Sequence, residues 1–436
     1  MSVMGWGFET DPEFQEKLDW VEEFVREEVE PLDLVIDHAW NIHDPVWKKL
    51  VPPLQAKVKE KGLWAAHLGP HLGGPGFGQL KLALLNEILG RTRHGPIVFG
   101  CQAPDSGNAE ILAHFGTDYL KKTYLEPLLA NEMVSAFSMT EPQGGSDPTS
   151  FVTRAELDGD EWVINGEKWF SSNARYAEFL ILLAVTDPEA APHQRMSMFV
   201  VPKETPGVTI VRNVHVYGHA ERAGGGGDHA YIRYENARIP ADHILGGIGQ
   251  GFAVAQTRLG GGRIHHAMRT VGLVRQAFDM MCERALSRET RGETLARKQL
   301  VQAKIAESWA QIEQFRLLVL RTAWKIDRYN DYEKVRVDIG AVKALMPGVL
   351  HDVASNALQI HGSLGVSDEM PFGFMIMESY HMGLADGATE VHKANMARSI
   401  LKGYQGTDDL FPTTHLPRLR AAARTKFADA LAADGA

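Results

Sequence analysis

Hydrophobic side chains in the first third of the sequence recur at the spacing of amphipathic helices. The stretch FQEKLDWVEEFVREEVEPL places its apolar residues on one helix face, and Pro31 is predicted to end the helix. The residues of that face are Phe14, Leu18, Val21, Phe24 and Val25. Further helices are predicted in DPVWKKLVPPLQAKVKEKGLWA, GQLKLALLNEILGRT, SGNAEILAHFG and TDYLKKTYLEPLLANE, so residues 1–132 are interpreted as an N-terminal helical domain.

From about Met133 the pattern changes to short runs of β-forming residues separated by turn residues. In EWVINGEKWF, Asn165 and Gly166 stand between two such runs and predict a tight hairpin. The runs FLILLAV, MSMFVVP, GVTIVR and HAYIRYENARIP continue the strand-like pattern. Their spacing predicts a small β-sandwich or barrel domain over residues 133–245.

Helical periodicity returns in GRIHHAMRTVGLVRQAFDMMCERALSRET and continues in four or five long segments, which predicts a C-terminal four-helix-bundle domain over residues 246–405. Residues 406–436 form a tail with an alanine-rich piece that is compatible with a helix. The order of helices, strands and helices argues against an alternating α/β sheet. The prediction is an α+β multidomain fold with a helical N-terminal domain, a small β-sandwich or barrel and a C-terminal helical bundle.

Composition narrows the function classes. A chain of 436 residues is long enough for two or three domains. The net charge of −10 argues against broad binding to nucleic acid or anionic membranes, and an anionic small ligand would need a local basic site. Cys101 and Cys282 are too far apart in sequence to suggest a disulfide framework or a metal cluster. The start has no secretory-signal pattern and no apolar run could span a bilayer, so a cytoplasmic protein is expected.

Glycine-rich and histidine motifs carry little chemistry of their own. GGIGQGF (246–252) lacks the full dinucleotide-binding spacing and is interpreted as a strand-to-helix connection. GGGGD (224–228) is interpreted as a flexible loop, with contact to a phosphate as the less favoured alternative. His265 and His266 are adjacent, so a helix would point them in different directions and no metal site is expected.

Four segments together resemble the acyl-CoA dehydrogenase family. They are SAFSMTEPQGGSD (135–147), INGEKWFSSNA (164–174), GGGRIHHAMRTVG with ERALSRETRG, and NALQIHGSLG with GLADGATEVH. The resemblance extends over about residues 12–402. The stretches APDSGN, EKWFSSNA, GRIHHAMRTVGL and LADGATEVH are most similar to the branch of acyl-CoA dehydrogenase members ten and eleven, large proteins that carry a dehydrogenase domain behind a kinase-like one.

The resemblance implies FAD-dependent α,β-dehydrogenation of an acyl-CoA to the trans-2-enoyl-CoA, with electrons passed to an electron-transfer flavoprotein. FAD contacts are expected at Phe137, Met139, Thr140, Phe170, Ser172, Arg288, Thr290, Gln359, Gly362 and Gly365. Those from Arg288 onwards would reach the FAD of a neighbouring subunit, which predicts a homodimer or homotetramer with shared FAD sites. Ser146 and Gly387 are expected to contact the acyl-CoA substrate.

Asp386 is the residue that the resemblance assigns as catalytic base, at a position where the family commonly has glutamate, and Arg263 is expected to order the pocket beside it. Apolar residues upstream suggest burial, which is expected to raise the pKa of Asp386 towards working pH. An alternative is that Asp386 only caps the helix that starts near Thr389. Glu378 and Glu390 are nearby carboxylates that are expected to face solvent or partners.

Other activities remain open at this point. A flavin enzyme of this branch could act on 4-hydroxyacyl-CoA or phosphorylated derivatives without net oxidation. An acyl-CoA oxidase and a flavin-free interaction protein on the same fold are further alternatives.

Overall fold

The computed structural model describes residues 10–216 and 227–433, so most of the glycine loop at 224–228 lies outside the described residues. The order of helices, then strands, then helices confirms the predicted α+β fold. Among the described residues no helix is both long and apolar enough to cross a membrane.

The N-terminal part is helical, as predicted. Its helices are α1 (Pro12–Phe24), α2 (Pro45–Glu60), α3 (Gly78–Leu89), α4 (Gly95–Val98), α5 (Asp105–Phe115), α6 (Asp118–Leu120) and α7 (Glu126–Ala130). Asp11 caps α1 by accepting a hydrogen bond from the backbone of Phe14. Pro31 does not end the first helical segment, because a π turn (Val25–Val29) and a 3₁₀ turn (Glu30–Leu34) extend it past the proline.

The middle part forms one mixed sheet in the described portion of the chain. Its strands are β1 (Ser135–Ser138), β2 (Arg154–Asp158), β3 (Glu161–Ser172), β4 (Phe179–Val185), β5 (Met196–Pro202), β6 (Val208–Val214), β7 (His229–Pro240) and β8 (Ile244–Leu245). The order is β6-β7-β3-β2-β4-β5-β8, and β1 lies parallel to β4.

Alternate residues of β4 serve two hydrophobic cores, because successive side chains of a strand point to opposite faces. Ile181 and Leu183 pack with residues of α5 and the first long C-terminal helix. Leu180 and Leu182 pack with residues of β3 and β7, so the other face of the sheet encloses a core of its own.

The hairpin predicted at Asn165 and Gly166 is wrong, since β3 runs straight through both residues. The register against β7 shifts there, and Asn165 pairs with Asn236 across the strands. Gly166 has a φ of +146°, and a Cβ at this position would lie 2.5 Å from Thr153. The β2–β3 turn instead lies at Gly159, which has a φ of +68°.

The C-terminal part contains five long helices, within the predicted range of four or five. They are α8 (Gly251–Ser287), α9 (Gln299–Tyr329), α10 (Tyr332–His361), α11 (Phe372–Leu384) and α12 (Thr389–Leu401). A small hairpin of β9 (Glu289–Thr290) and β10 (Glu293–Thr294) joins α8 to α9, and the tail forms exposed helices α13 (Leu416–Lys426) and α14 (Ala428–Ala433). The GGIGQGF segment connects β8 to α8, as predicted.

The N-terminal and C-terminal helices share one hydrophobic core. Met268 of α8 and Phe315 of α9 belong to the same buried cluster as Val21 of α1 and Leu85 of α3. Because α8 also packs on the sheet through the β4 core, it lies at the junction of all three parts.

Candidate active site

A cavity of about 1570 Å³ lies where β1 and β3 meet α8, α10, α11 and α12. It brings together many of the residues that the resemblance singles out. Those that line it are Phe137, Met139, Thr140, Ser146, Phe170, Ser172, Arg263, Asp386 and Gly387. These residues come from segments far apart in sequence, so their convergence is a property of the fold.

The other predicted FAD contacts are not part of this cavity in the described chain. They are Arg288, Thr290, Gln359, Gly362 and Gly365. The first two lie exposed just beyond the C-terminal end of α8, and the other three lie in or after the last turn of α10. Their assignment to a neighbouring subunit's FAD therefore stays a prediction.

On the sheet side of the cavity, two lining residues, Ser172 and Phe170, contact His229, a residue that the sequence analysis missed. The Ser172 hydroxyl lies 2.9 Å from His229 Nδ1. The ring of Phe170 stacks on the imidazole, with centroids 4.4 Å apart and planes at 12°. Phe170 has a φ of +60°, a conformation that is unfavourable for an aromatic residue. His229 also meets the ring of His381 edge-on, at 5.5 Å between centroids.

A buried ion pair anchors the loop that carries Thr140 and Ser146. Lys168 of β3 donates to the backbone carbonyl of Met139 at 2.7 Å and to Glu141 Oε1 at 2.9 Å. Neither charged side chain is exposed, and burial lowers the pKa of Lys168 to about 8. Since a buried charge without its partner is costly, this pair fixes the loop against β3.

Asp386 lies in a sharp turn between α11 and α12. It has a φ of +54°, which aspartate tolerates better than most residues, and Gly387 has a φ of +102°. Its backbone carbonyl accepts hydrogen bonds from Arg263 Nε at 3.0 Å and from His392 Nε2 at 3.2 Å. The turn is therefore held from two helices, α8 and α12.

The carboxylate of Asp386 faces α8. Arg258, Gly262 and His266 follow one another at four-residue spacing on one face of that helix. The carboxylate oxygens lie 3.8 Å from an Arg258 terminal nitrogen and 3.4 Å from His266 Nε2. A Cβ at Gly262 would come within 2.8 Å of Asp386 Oδ2, so the glycine leaves the space that the carboxylate occupies.

The capping interpretation of Asp386 is wrong. Helix α12 has Ala388 at its N-cap, with no side-chain hydrogen bond to the helix end among the described residues. The Thr389 hydroxyl donates backwards to the carbonyl of Gly383. The carboxylate of Asp386 is free of a capping role and is available to the cavity.

The pKa of Asp386 is lowered, contrary to the expectation from its apolar neighbours in sequence. Burial raises the pKa of this carboxyl, but interactions with the basic residues around it lower the pKa by more; they are His266, Arg258, Arg263 and Lys343. Burial lowers the pKa of His266 to about 4, so at neutral pH this imidazole is uncharged. Burial also lowers the pKa of Lys343 to about 8. Asp386 is therefore an ionised carboxylate at neutral pH.

Arg258 is the most informative residue that the sequence analysis did not identify. Its side chain is 9% exposed, and its guanidinium lies over the ring of Phe137 at 3.9 Å. Nε donates to Asn108 Oδ1 at 2.9 Å. The sequence offered one hint of a buried role for Arg258, because it stands beside the apolar Leu259 and three glycines in TRLGGGRIHH. Its partner Asn108 lies 150 positions away, so the hydrogen bond between them could not be predicted.

The two other carboxylates near Asp386 differ from each other. Glu390 is exposed, as predicted. Glu378 is only 17% exposed and pairs with His381 Nδ1 at 3.1 Å. Burial lowers the pKa of His381, but the Glu378 carboxylate outweighs it and the pKa is raised.

Family profiles for the three parts of one enzyme family match almost the whole chain. They are the N-terminal domain of acyl-CoA dehydrogenases at residues 11–132, the middle domain at 136–229 and the C-terminal domain at 249–401. The chain belongs to the acyl-CoA dehydrogenase family. The predicted family, the oxidoreductase class and FAD as the cofactor are thereby confirmed.

Individual proteins that are similar to this chain support its assignment to the acyl-CoA dehydrogenase family. FadE2 of Mycobacterium tuberculosis is 41% identical over 362 residues, which cover 82% of this chain and 87% of FadE2. Acyl-CoA dehydrogenase family member 11 of Gallus gallus is 38% identical over 88% of this chain, which spans only 50% of that relative's length. A solved acyl-CoA dehydrogenase structure from Mycobacterium abscessus has a TM-score of 0.83 at 36% identity, and the match covers 91% of this chain and 100% of that one.

Proposed function

We propose that the protein oxidises an acyl-CoA to the trans-2-enoyl-CoA, with Asp386 taking the α-proton and the electrons leaving to an electron-transfer flavoprotein. The observation that carries the proposal is an ionised, 15%-exposed carboxylate that shares one cavity with the sheet residues assigned to FAD. Base and hydride acceptor must lie on opposite sides of the acyl chain, and the cavity offers two such walls.

The residues of the sheet wall fit FAD. The cavity is larger than the roughly 300–1,000 Å³ usual for one small ligand, so it has room for part of FAD and an acyl chain together. Phe137 and Phe170 would flank the flavin ring, and Thr140 and Ser172 are hydroxyl donors beside it. When bound, FAD supplies the acceptor for the β-hydride. A proton on His229 Nδ1 would be donated to Ser172, leaving the serine hydroxyl proton for the cofactor.

The helix wall fits the thioester chemistry. Asp386 would accept the α-proton on a carboxylate oxygen, and a general base of this kind contributes roughly 10²–10⁴-fold. Negative charge then develops on the thioester oxygen, where the backbone N–H of Gly387 would donate a hydrogen bond. Arg263 and His392 hold the carbonyl of Asp386 and so fix the turn that carries both groups. Ser146, on the rim, would contact the pantetheine arm.

The proposal is tested by anaerobic mixing of the purified flavoprotein with acyl-CoAs while its flavin absorbance is followed. The panel contains straight, branched and 4-hydroxy acyl chains. Bleaching is expected with one class, and Asp386→Asn should keep its FAD but lose roughly 10²–10⁴-fold in rate. The exposed Glu390→Gln is the control and should bleach normally. Near-normal bleaching of Asp386→Asn would exclude this residue as the base.

A second activity, on 4-hydroxyacyl-CoA or phosphorylated derivatives without net oxidation, is favoured by Arg258. Arg258 lines the cavity, and its terminal nitrogens have no hydrogen-bond acceptor among the described residues. An oxygen on the acyl chain would supply one, because a buried guanidinium needs acceptors. Reduction of an acceptor dye separates the two activities: dehydrogenation reduces the dye, whereas rearrangement converts the 4-hydroxyacyl-CoA and leaves the dye oxidised.

We further propose that FAD is shared between subunits of a homodimer or homotetramer. The support is the position of Arg288 and Thr290, which are exposed and lie away from their own cavity. An arginine there suits paired phosphates, since its planar guanidinium donates two hydrogen bonds at once.

A further inference from the structure

A buried chain of hydrogen bonds runs from α5 through β1 to Arg258. Asp105 Oδ1 accepts from the backbone N–H of Ser135 at 2.8 Å and from its hydroxyl at 2.6 Å. The Ser135 oxygen in turn accepts from Asn108 Nδ2 at 2.9 Å. Asn108 Oδ1 accepts from Arg258 Nε at 2.9 Å. Asp105, Ser135 and Asn108 are 3%, 0% and 0% exposed, so water does not compete for these bonds.

The chain fixes the orientation of the Asn108 amide from both ends. Ser135 has one hydroxyl proton, which it gives to Asp105, so towards Asn108 it can only accept. Arg258 can only donate, so it requires the amide oxygen. Both ends demand the same orientation of the amide. The neighbouring Gly107 allows Arg258 to pack closely against α5, because a Cβ there would lie 2.9 Å from Arg258 Cγ.

The hydrogen bond to Asn108 influences where the terminal nitrogens of Arg258 lie relative to Asp386. Its nearest terminal nitrogen is 3.8 Å from the Asp386 carboxylate, which is too far for a hydrogen bond. The two opposite charges attract each other, and this attraction draws the guanidinium towards a direct pair with the carboxylate. The bond from Nε to Asn108 opposes that movement.

We infer that Asn108 is a positioning residue that holds Arg258 back from Asp386, so that the arginine's terminal N–H groups stay available to an oxygen of the bound acyl-CoA. The inference rests on the proposed function only in taking an acyl-CoA as the ligand. Asn108 itself is not among the residues that line the cavity in the described chain. Its effect must therefore pass through Arg258.

The test is a double-mutant cycle of Asn108→Leu and Arg258→Gln in the FAD-loaded protein. The probes are a 3-oxoacyl-CoA, whose 3-oxo oxygen can accept from Arg258, and the saturated acyl-CoA of the same length. Asn108→Leu should weaken binding of the 3-oxo probe roughly 10-fold, as expected for one hydrogen bond to a charged group, and should weaken the saturated probe much less. In the Arg258→Gln background the same substitution should have no further effect.

Ser135→Ala provides a second route if Asn108→Leu folds poorly. It removes the acceptor for Asn108 Nδ2, leaves the amide held only at its Arg258 end, and should reproduce the loss for the 3-oxo probe in smaller measure. Asn86→Leu is the matched control, since Asn86 is a 1%-exposed asparagine on α3 that bonds to Met268. It should change stability without changing the ratio of the two affinities.

Equal effects of Asn108→Leu with and without Arg258 would overturn the inference and leave Asn108 a purely structural residue. So would equal losses for the two probes. The proposed function fails separately: if the wild type binds the 3-oxo probe but no saturated acyl-CoA bleaches its flavin, dehydrogenation is refuted while the binding cycle still tests Asn108.

Discussion

Replacing Glu110 by glutamine tests how strongly burial controls charge beside the cavity. Glu110 lies on α5, and burial raises its pKa from 4.5 to about 7, with the charge of Arg258 opposing the rise. Helix α8 approaches closely here, since a Cβ at Gly261 would lie 3.4 Å from Glu110 Oε2. At about 1.4 kcal/mol for each pH unit, this difference between the folded and unfolded chains is worth about 3 kcal/mol.

Whether the free energy of unfolding rises or falls with pH depends on which state, folded or unfolded, holds the Glu110 proton more tightly. The folded protein keeps Glu110 protonated up to about pH 7, whereas the unfolded chain releases the proton near pH 4.5. The free energy of unfolding should therefore fall as the pH rises from 4.5 to 7 and then level off. Glutamine has nearly the same shape and no charge, so Glu110→Gln should be more stable than the wild type by up to about 3 kcal/mol at pH 8, with most of the difference gone at pH 5.

The assay is urea unfolding of both proteins across this pH range at one ionic strength. All other titrating groups are common to the pair, so the difference in unfolding free energy isolates Glu110. The exposed Glu16→Gln serves as control and should show no such trend. A Glu110→Gln protein that is less stable than the wild type at pH 8 would refute the reasoning, because Glu110 would then be a carboxylate stabilised by Arg258.

Three further outcomes are expected. Arg288→Ala should lower flavin content after gel filtration, and unchanged flavin content would count against FAD sites shared between subunits. Gly272→Ala should destabilise the protein by roughly 1–3 kcal/mol in urea unfolding, because a Cβ there meets a backbone carbonyl oxygen of α3. The matched Gly348→Ala, in open space on α10, should instead stabilise it by roughly 0.5–1 kcal/mol. The pH profile of kcat/KM in Glu110→Gln should show no acid limb from Asp386 between pH 5 and 7, because the pKa of Asp386 is already lowered. An acid limb in this range that His381→Gln does not remove would contradict the lowered pKa.

The succession of helices and strands could be predicted because it depends on local periodicity. Apolar residues at helical spacing gave α1, α2 and α3, and the strand-like runs gave β4 and β5, since each pattern is contained within one element. The resemblance then supplied residues of the cavity, from Phe137 to Asp386, which local patterns could not have connected.

Turn positions and charges depended on contacts that are distant in sequence. Asn165 and Gly166 looked like a hairpin, but their cross-strand partner Asn236 keeps them inside β3. The competing Asp158-Gly159 pair, also a hairpin dipeptide, is where the chain turns. A dipeptide that favours a turn forms one only where pairing with a neighbouring strand does not keep it extended.

The lowered pKa of Asp386 also comes from residues that are distant in sequence, and it affects how the site works. Its sequence neighbours are apolar, but α8 and α10 bring basic residues to it that together outweigh burial; they are His266, Arg258, Arg263 and Lys343. A carboxylate with a lowered pKa is the weaker base for an α-proton. With Asp386 as the base, more of the rate must come from stabilising the negative charge that the thioester acquires. Arg258 and Arg263 can provide that stabilisation, because both line the cavity. We therefore expect the rate of the proposed reaction to depend on Arg258 as well as on Asp386.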